Sequence, residues 1–333
     1  MTVRIVTDST ASLTDEEIKR YDIRRVTLYL VSGDVAEPEI GMDIDAFYAT
    51  INDMDVLPTS AQPTPADFHQ TFSEILDAGD DVLGIFTASG LSGTYEGAQM
   101  IAAQIERERS DAAGRIAIVD STSNSRSLGY PVLAAGRAAA DGADLAACTE
   151  LAEYTSACTR FVFAPRSLEH LRRGGRIGRA SALLGSALKL VPVLGPDKHN
   201  GTVHNYAKVR TFPRALDAIK NIMLEDAQHS GGLEAACVHY IAERPVAEDY
   251  AETSVKPLVA ELLTDGDDAP ELPIMPVPPV IGSHVGPAVG IAYLCYEPLK
   301  KENVEGMGLL STVSQNVSER LQSLKQRVGE RGK

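Results

Sequence analysis

Short apolar runs alternate with longer amphipathic stretches through the first half of the chain. The runs have the length and composition of buried strands, and the stretches repeat apolar residues at helical spacing. The predicted strands are 3–8, 24–30, 81–89 and 115–121, and the predicted helices are 14–21, 64–78, 94–108 and 124–141. Such alternation is typical of a parallel sheet with helices on its faces. The pattern therefore predicts an α/β fold whose first domain is an open, mostly parallel, Rossmann-like sheet.

Two of these helices carry recognisable start signals. Thr14 and Glu17 have the spacing of a capping box, in which each side chain accepts the backbone N–H of the other residue. Thr64 precedes Pro65, and proline is favoured at the first position of a helix. We therefore expect helices to begin directly after Thr14 and Thr64.

The order of elements changes after a helix predicted at 144–158. A strand-like run at 161–164 opens the second half, and two closely spaced apolar segments at 278–283 and 290–297 are predicted as strands near its end. We place a domain boundary near residue 156. The predicted domains are 1–156 and 157–333, both α/β, and the second is expected to have a smaller mixed sheet with helices.

Two segments of the second half have sequence patterns that differ from those of the predicted strands. The stretch from Asp265 to Pro279 is acidic and then rich in proline, which excludes a helix and predicts a solvated loop. Apolar residues between Val313 and Val328 recur at helical spacing, with basic residues near the end, which predicts a packed closing helix.

Composition narrows the classes of function. A chain of 333 residues with 44% apolar composition can bury two cores. Its 46 acidic residues against 31 basic ones give a net charge of −15, which argues against a general affinity for nucleic acid or anionic membranes. No apolar run approaches the roughly twenty residues of a membrane span. We expect a cytoplasmic protein that handles a small molecule.

Motifs for several enzyme classes are missing from the sequence. The four cysteines lie far apart without a CxxC pair, so they are expected to be reduced thiols rather than zinc ligands. Gly90, Gly93 and Gly97 do not have the spacing of a dinucleotide fingerprint, and there is no phosphate loop, no GxSxG and no HExxH. We therefore expect no catalytic residues, no metal and no cofactor.

Polar loops follow three of the predicted strands, where ligands bind in open α/β sheets. They are Thr7–Thr10, Ser89–Thr94 and Asp120–Ser123. In the second loop Ser92, Gly93 and Thr94 precede a helix whose free N–H groups would attract an anion. Two interpretations remain open there, an anion site and ordinary capping by Ser92 or Thr94. Asp8 and Asp120 are expected to cap the following turns rather than to act as acids or bases.

A basic window contrasts with the acidic chain. Between residues 160 and 189, Glu169 stands alone against the basic residues Arg160, Arg166, Arg172, Arg173, Arg176, Arg179 and Lys189. Because Arg176 follows Gly174 and Gly175, we expect it to reach the head group of a ligand. We expect Arg172, Arg173 and Arg210 to face outward, toward an acidic partner or a transferred phosphate, and the alternative for most of these arginines is an ordinary solvated helix end.

His284 lies beside glycines between the two strands predicted near the C-terminus. Its imidazole could meet a ligand head group in either protonation state. The alternative is a purely structural histidine.

Seven segments in order resemble the DegV family over residues 3 to about 297. They are VTDSTASL, PTSAQPTP, SGLSGTYEGAQ, VDSTSNSRSLGYPVLAA, LEHLRRGGRIGRASALLG, LKLVPVL and PVIGSHVGP. The resemblance implies two α/β domains with a long-chain fatty acid between them, its carboxylate held by Ser60, Ser92 and His284. The family usually has threonine and serine where Ser60 and Ala61 stand here, and glycine where Ala288 stands.

The resemblance also implies a carrier rather than an enzyme. Some members of the family are the fatty-acid-binding subunit of bacterial fatty acid kinase and present the carboxylate to a separate ATP-binding subunit, which makes acyl phosphate for phospholipid metabolism. Two other classes of function are kept beside this one. They are an enzyme that uses Ser92 or His284 on a small anionic substrate, and a lipid-sensing regulatory protein.

Overall fold

The computed structural model describes residues 2–51, 54, 57–178, 181, 190–262 and 272–299. The closing helix predicted between Val313 and Val328 lies outside these residues, as do Arg179, Lys189 and residues 265–271 of the predicted solvated loop. The described rest of that segment is not loop alone, because it contains a short strand at Ile274–Pro276 and ends at the first residue of a helix, Pro279.

Strands and helices alternate along much of the described chain. The strands are β1 Val3–Asp8, β2 Arg24–Val26, β3 Tyr29–Ser32, β4 Val35–Pro38, β5 Thr59–Ala61, β6 Asp81–Phe86, β7 Ile116–Asp120, β8 Thr159–Pro165, β9 Val191–Pro196, β10 Val203–Val209, β11 Leu233–Ile241, β12 Ile274–Pro276 and β13 Ala288–Cys295. The helices are α1 Asp15–Arg20, α2 Ile44–Thr50, α3 Pro65–Asp77, α4 Thr94–Glu108, α5 Ser125–Ala140, α6 Leu145–Cys158, α7 Glu169–Arg173, α8 Phe212–His229, α9 Arg244–Tyr250, α10 Lys256–Leu262 and α11 Pro279–Val285. Single turns of 3-10 and π helix occupy Ser110–Ala112 and Ala251–Val255.

The first sheet is parallel, with strand order β2-β1-β6-β7. Side chains of successive residues point to opposite faces of a strand. Ile5 accordingly packs in one apolar cluster with α5 and α6, while Val6 packs in another with α3 and α4. The predicted parallel sheet with helices on both faces is confirmed, and so are the capping box at Thr14 and both helix starts; Thr64 also forms a capping box, with Asp67, that was not predicted.

The predicted strand 24–30 is two strands in different sheets. β2 ends at Val26, and β3 begins at Tyr29 as the middle strand of an antiparallel sheet with β4 and β5. The buried Ser9 hydroxyl accepts the N–H of Leu28 at 2.9 Å, between the two strands. Residues 24–30 contain no glycine or proline, so the sequence gives no sign of such a change of sheet.

The second sheet is mixed, with strand order β10-β9-β8-β13-β11-β12. Its strands pair antiparallel except for β11 and β12. With six described strands against four in the first, it is the larger sheet, although a smaller one was expected. Helices α8, α9 and α10 cover one face, and Phe161, Phe163 and Leu194 project from the other.

Helix α5 lies between the two sheets. Leu128 and Val132 join the core of the first sheet, whereas Tyr130 belongs to the cluster of Phe161 and Phe163 on the second. Opposite sides of helix α5 therefore pack in the apolar cores of the two sheets. The predicted boundary near residue 156 falls in the last turn of α6, just before β8 begins, and the division into two domains at that point stays a prediction.

The segment 278–283 is not the predicted strand but most of helix α11. Pro279 occupies the first helical position, and the carboxylate of Glu39 accepts the N–H of Val280 at 2.6 Å. The Tyr48 hydroxyl donates to the carbonyl of Val277 at 2.6 Å and fills the space beside Gly282. These contacts from distant parts of the chain outweigh the strand preference of the apolar run. The neighbouring strand prediction at 290–297 is confirmed as β13.

None of the helices in the described ranges is both long and apolar enough to cross a lipid bilayer.

Substitution of Tyr48 tests the hydrogen bond that joins helix α2 to the segment before helix α11. Its side chain is buried, and Tyr48→Phe removes the hydroxyl that bonds the Val277 carbonyl. We expect the free energy of unfolding to fall by about 1–2 kcal/mol, because a buried acceptor loses its donor. Urea denaturation measures the change. Tyr95→Phe is the control, since that hydroxyl bonds the exposed side chain of Gln99, and it should change stability by less than about 0.5 kcal/mol. Equal losses in the two variants would contradict this account.

Candidate functional site

A cavity of about 60 Å³ lies between the carboxyl edge of the first sheet and the inner face of the second. Its polar lining consists of Thr10, Ser60, Thr87, Ser92, Asn124, Arg176 and His284. Its remaining lining is apolar and consists of Leu28, Leu91, Phe161, Phe163, Leu171, Pro196, Val203, Val280, Ile281 and Val285. The residues come from both sides of the predicted domain boundary. The cavity thus combines a polar part with a larger apolar wall.

A smaller cavity of about 10 Å³, lined mainly by apolar residues, adjoins this wall. Phe161, Phe163, Ile281 and Val285 line both cavities, so these four side chains form the partition between them. His239 and the residues 288–290 of β13 line the far cavity.

Ser60 and His284 meet at the polar part of the first cavity. Ser60 is the middle residue of β5, paired with Leu30, and His284 lies in the last turn of α11. Ser60 Oγ is 2.7 Å from His284 Nε2, and the tautomer of the ring decides which atom donates. A side chain at Gly174 would overlap Nδ1 of the imidazole, so the C-terminus of α7 can approach His284 because residue 174 is glycine.

Burial keeps the His284 ring neutral. It lowers the pKa of His284 from 6.5 to about 4, and the positive charge of Arg176 contributes in the same direction. The imidazole is therefore neutral at pH 7. An anion beside the ring would favour the protonated form and would raise this pKa again.

Ser92 is held within its own loop. Its Oγ lies 2.8 Å from Thr94 Oγ1 and accepts the N–H of Thr94 at 3.4 Å, while the N-cap residue of α4 is Gly93, which makes no side-chain cap. The side chain of Gln62 packs directly on Gly93, which joins the segment of Ser60 to the loop of Ser92. Thr94 is fully buried behind Ser92, and neither Gly93 nor Thr94 lines the cavity.

The arginines of the basic window divide into two groups. Arg176 lines the cavity while remaining exposed, so it stands at the opening, and its guanidinium donates to the carbonyl of Gly174 at 2.7 Å. Arg172 and Arg173 are exposed and both bond the carboxylate of Glu169 at 2.7 Å, which lowers the pKa of that carboxyl to about 2. Arg210 is exposed directly after β10 and does not line the cavity.

Asp8 and Asp120 organise the loops at the carboxyl edge of the first sheet. Asp8 is fully buried and accepts the N–H and the hydroxyl of Thr10 and, at 2.7 Å, the N–H of Thr87. Desolvation nonetheless raises its pKa. Asp120 accepts the N–H of Thr122 at 2.7 Å. Both residues bond neighbouring backbone, as the sequence indicates, and Asp8 also joins two loops that line the cavity.

Glu39 was not recognised from the sequence. It is 6% exposed, accepts the N–H of Val280, and its pKa is raised to about 7, mainly by burial. It follows the exposed strand β4, where a glutamate is expected to be solvated, so no local pattern identifies it.

No group of three or more histidine, cysteine or acidic side chains within the described ranges could hold a metal ion.

Comparisons with known proteins agree on one family. The model of the DegV family, described as "Uncharacterised protein, DegV family", matches residues 2–295. A DegV domain-containing protein of Clostridium acetobutylicum is 35% identical over 299 residues, which cover 88% of this chain and 98% of the relative.

Two solved structures that have the same fold are each 27% identical to this chain. A DegV family protein of Thermus thermophilus, described for its fatty acid binding, is 27% identical with a TM-score of 0.74 and covers 89% of this chain and 100% of its own. DegV of Bacillus subtilis, described as a fatty acid binding protein, is 27% identical with a TM-score of 0.74 and covers 89% and 99%.

The protonation of His284 can be followed directly. We expect the ring in the ligand-free protein to stay neutral down to about pH 5, because its pKa lies near 4 rather than 6.5. As pH falls from 6.5 toward 4, the unfolded chain takes up a proton that the native site does not, so stability decreases across that window. Ring chemical shifts in an NMR titration measure the pKa, and His284→Gln identifies the resonance. A midpoint near 6.5 would refute the desolvated site.

Proposed function

The chain belongs to the DegV family, and we propose that it binds a long-chain fatty acid in the cavity between its two sheets. The observation that carries the proposal is the composition of that cavity. Hydroxyls, an imidazole and a guanidinium gather at one part, and aromatic and branched aliphatic side chains form the rest. The printed descriptions of the Thermus and Bacillus proteins support the same class of ligand.

The acyl chain supplies most of the affinity in this proposal. Burial of about fifteen methylenes at roughly 0.8 kcal/mol each favours binding by about 12 kcal/mol before the costs of association. Both cavities are lined by Phe161, Phe163, Ile281 and Val285. Rotation of these side chains therefore joins the two cavities into one channel for the acyl chain.

The head group is oriented by donors at the mouth. Ser60 and Ser92 donate hydroxyl protons to the carboxylate, and Arg176 contributes a positive charge at the opening. Once the carboxylate is beside it, His284 becomes easier to protonate, so binding is accompanied by proton uptake below neutral pH. Gly93 and Thr94 act by holding Ser92 in place.

The chain in this proposal is a carrier subunit. It presents the carboxylate to a separate ATP-binding kinase subunit, which forms the acyl phosphate. Arg176 stands at the cavity mouth, and the exposed Arg172 and Arg173 lie four and three residues before it. Their position supports a role in docking the kinase or contacting the transferred phosphate, and Arg210 is assigned to the same surface role.

The Ser60–His284 pair also fits the alternative of an enzyme acting on a small anion. A serine hydroxyl and an imidazole at 2.7 Å have the spacing of a nucleophile and its base. A third group that orients the imidazole is expected as well, and Nδ1 of His284 faces the backbone of Gly174 instead. The predominantly apolar lining favours a lipid over a small polar substrate.

Removal of the hydroxyls tests the head-group assignment. Ser60→Ala and Ser92→Ala should each weaken binding of palmitate by on the order of 1 kcal/mol, about fivefold, and by more where the lost hydrogen bond is charge-assisted. Mass spectrometry of lipid extracted from the purified protein, together with palmitate titration, measures retention and affinity. Ser110→Ala, at an exposed serine, is the control and should match the unmodified protein. Unchanged affinity in the double variant would remove both serines from the site, and a purified protein that retains no fatty acid would refute the function.

The two groups of arginines should separate lipid binding from docking. Arg176→Ala should reduce palmitate retention, whereas Arg173→Ala should leave retention unchanged and slow kinase-dependent formation of acyl phosphate. The slowing should shrink at high salt, because exposed charges are screened. Arg137→Ala, an exposed arginine outside the window, is the control. The chain alone with ATP and magnesium should form no acyl phosphate. Equal behaviour of Arg173→Ala and Arg137→Ala across a range of salt would rule out the docking role.

A further inference from the structure

Glu39 lies directly behind the wall of the cavity. Its backbone N–H donates to the carbonyl of Leu28 at 2.9 Å, and its carboxylate accepts the N–H of Val280 at 2.6 Å. Leu28 and Val280 both line the cavity, Leu28 from the segment between β2 and β3 and Val280 from helix α11. Glu39 therefore joins two parts of the cavity wall that come from opposite ends of the chain.

Helix α11 contributes a large share of the site. Its seven residues include four that line the cavity, Val280, Ile281, His284 and Val285. Isolated helices shorter than about twelve residues are marginal in water, so the place of such a short helix depends on its contacts with the rest of the chain. The bond from Glu39 reaches its second residue, and the imidazole that lies 2.7 Å from Ser60 belongs to its sixth.

Only one oxygen of the Glu39 carboxyl is engaged. The residue is buried, Oε1 accepts the N–H of Val280, and Oε2 has no hydrogen-bond partner among the described residues. A proton on Oε2 would be a buried donor without an acceptor, and a proton on Oε1 would compete with the N–H of Val280. The ionised carboxylate instead makes a charge-assisted bond, which is roughly twice as strong as a neutral one. Protonation of Glu39 therefore weakens the attachment of α11.

The surroundings of Glu39 keep its two protonation states close in free energy. Burial raises its pKa to about 7, while the hydroxyl of Ser9 favours the charged form. The negative charge of Asp8 opposes ionisation, and the positive charge of Arg25 favours it less strongly. Tyr48 also faces Glu39 and stays neutral, because burial raises the pKa of the phenol. A small difference between the free and the ligand-bound protein is therefore enough to change the protonation of Glu39.

We propose that Glu39 is a proton-linked positioning residue for the fatty acid: its ionised carboxylate fixes α11 and His284 for binding, and protonation of Glu39 weakens the hold on the ligand. The inference rests on the proposed function, because α11 forms part of the wall around the acyl chain. Linkage is reciprocal, so a fatty acid that binds the ionised form more tightly must also lower the pKa of Glu39.

Glu39→Gln tests the proposal, because glutamine keeps an acceptor for Val280 and fixes a neutral side chain of the same size. We expect palmitate to bind this variant about fivefold more weakly than the unmodified protein at about pH 8, and nearly equally at about pH 6, where Glu39 is already protonated. The titration of palmitate and of His284 is common to both proteins and cancels in the ratio of affinities. Glu37→Gln, on the exposed strand β4, is the control and should follow the unmodified protein at both pH values.

Thermal unfolding separates positioning from a general loss of structure. The native pKa of about 7 lies above the ordinary value of 4.5, so the native state keeps a proton that the unfolded chain releases, and stability falls as pH rises across this window. Relative to the unmodified protein, Glu39→Gln should therefore gain stability between about pH 6 and about pH 8 while it loses affinity over the same range. A variant whose relative stability and relative affinity fall together would have a merely structural defect, and the assignment would be overturned.

A titration of the unmodified protein tests the same linkage without a substitution. Carbon-13 NMR of labelled glutamate carboxyls follows the resonance whose midpoint lies near 7. Saturating palmitate should lower that midpoint by about 0.7 pH unit, which corresponds to the fivefold difference in affinity. A midpoint that stays unchanged, or an affinity ratio that is the same at both pH values, would refute the role of Glu39 while palmitate binding still supports the proposed function. Failure of palmitate to bind at either pH would overturn both.

Discussion

The site depends on the hydrogen bonds that hold helix α11 against the first half of the chain. The buried carboxylate of Glu39 accepts the first free N–H of the helix, and Tyr48 bonds the carbonyl just before it. These groups lie more than two hundred residues apart in sequence from the helix they fix. Because His284 lies in the last turn of that short helix, its distance from Ser60 follows from the same contacts. A hydrogen bond buried in an apolar interface stabilises it strongly, because breaking the bond would leave a buried polar group without a partner.

The hydroxyls that line the cavity differ in their hydrogen bonds. Ser60 and Ser92 lie beside other side chains that can donate to an anion, and Arg176 with its neighbours makes the opening locally positive in a chain of net charge −15. Thr10 and Thr87 instead donate their protons to the Asp8 carboxylate and the Ser123 carbonyl. Hydrogen-bond partners therefore distinguish serines and threonines that composition alone would treat alike.

Close contacts between loops bring the residues that line the cavity together. Gly93 lets Gln62 lie against the start of α4, and Gly174 admits the ring of His284. Gly90 has the backbone of residues 200–202 in the place of a side chain, so the loop of Ser92 contacts the second half directly. The sequence shows the glycines around Ser92, but it does not show which segments lie against them.

Local patterns determined the helices, the parallel first sheet and the order of the motifs. A capping box at Thr14, proline after Thr64 and apolar periodicity act within a few residues, so they are readable from the sequence. The same patterns indicated Ser92 and His284 as candidates, while Ser60 was assigned by resemblance to a family.

Only the tertiary structure decided the partners of these residues. The apolar run before His284 fits strand and helix alike, and Glu39 with Tyr48 selects the helix. Asparagine is a preferred N-cap residue, yet the Asn124 side chain does not cap α5, and Nε2 of His239 accepts the N–H of Arg126 in its first turn. Periodicity shows which side of an element is buried but not what lies against it, and the hydrogen-bond partners that define this cavity come from segments far apart in the chain.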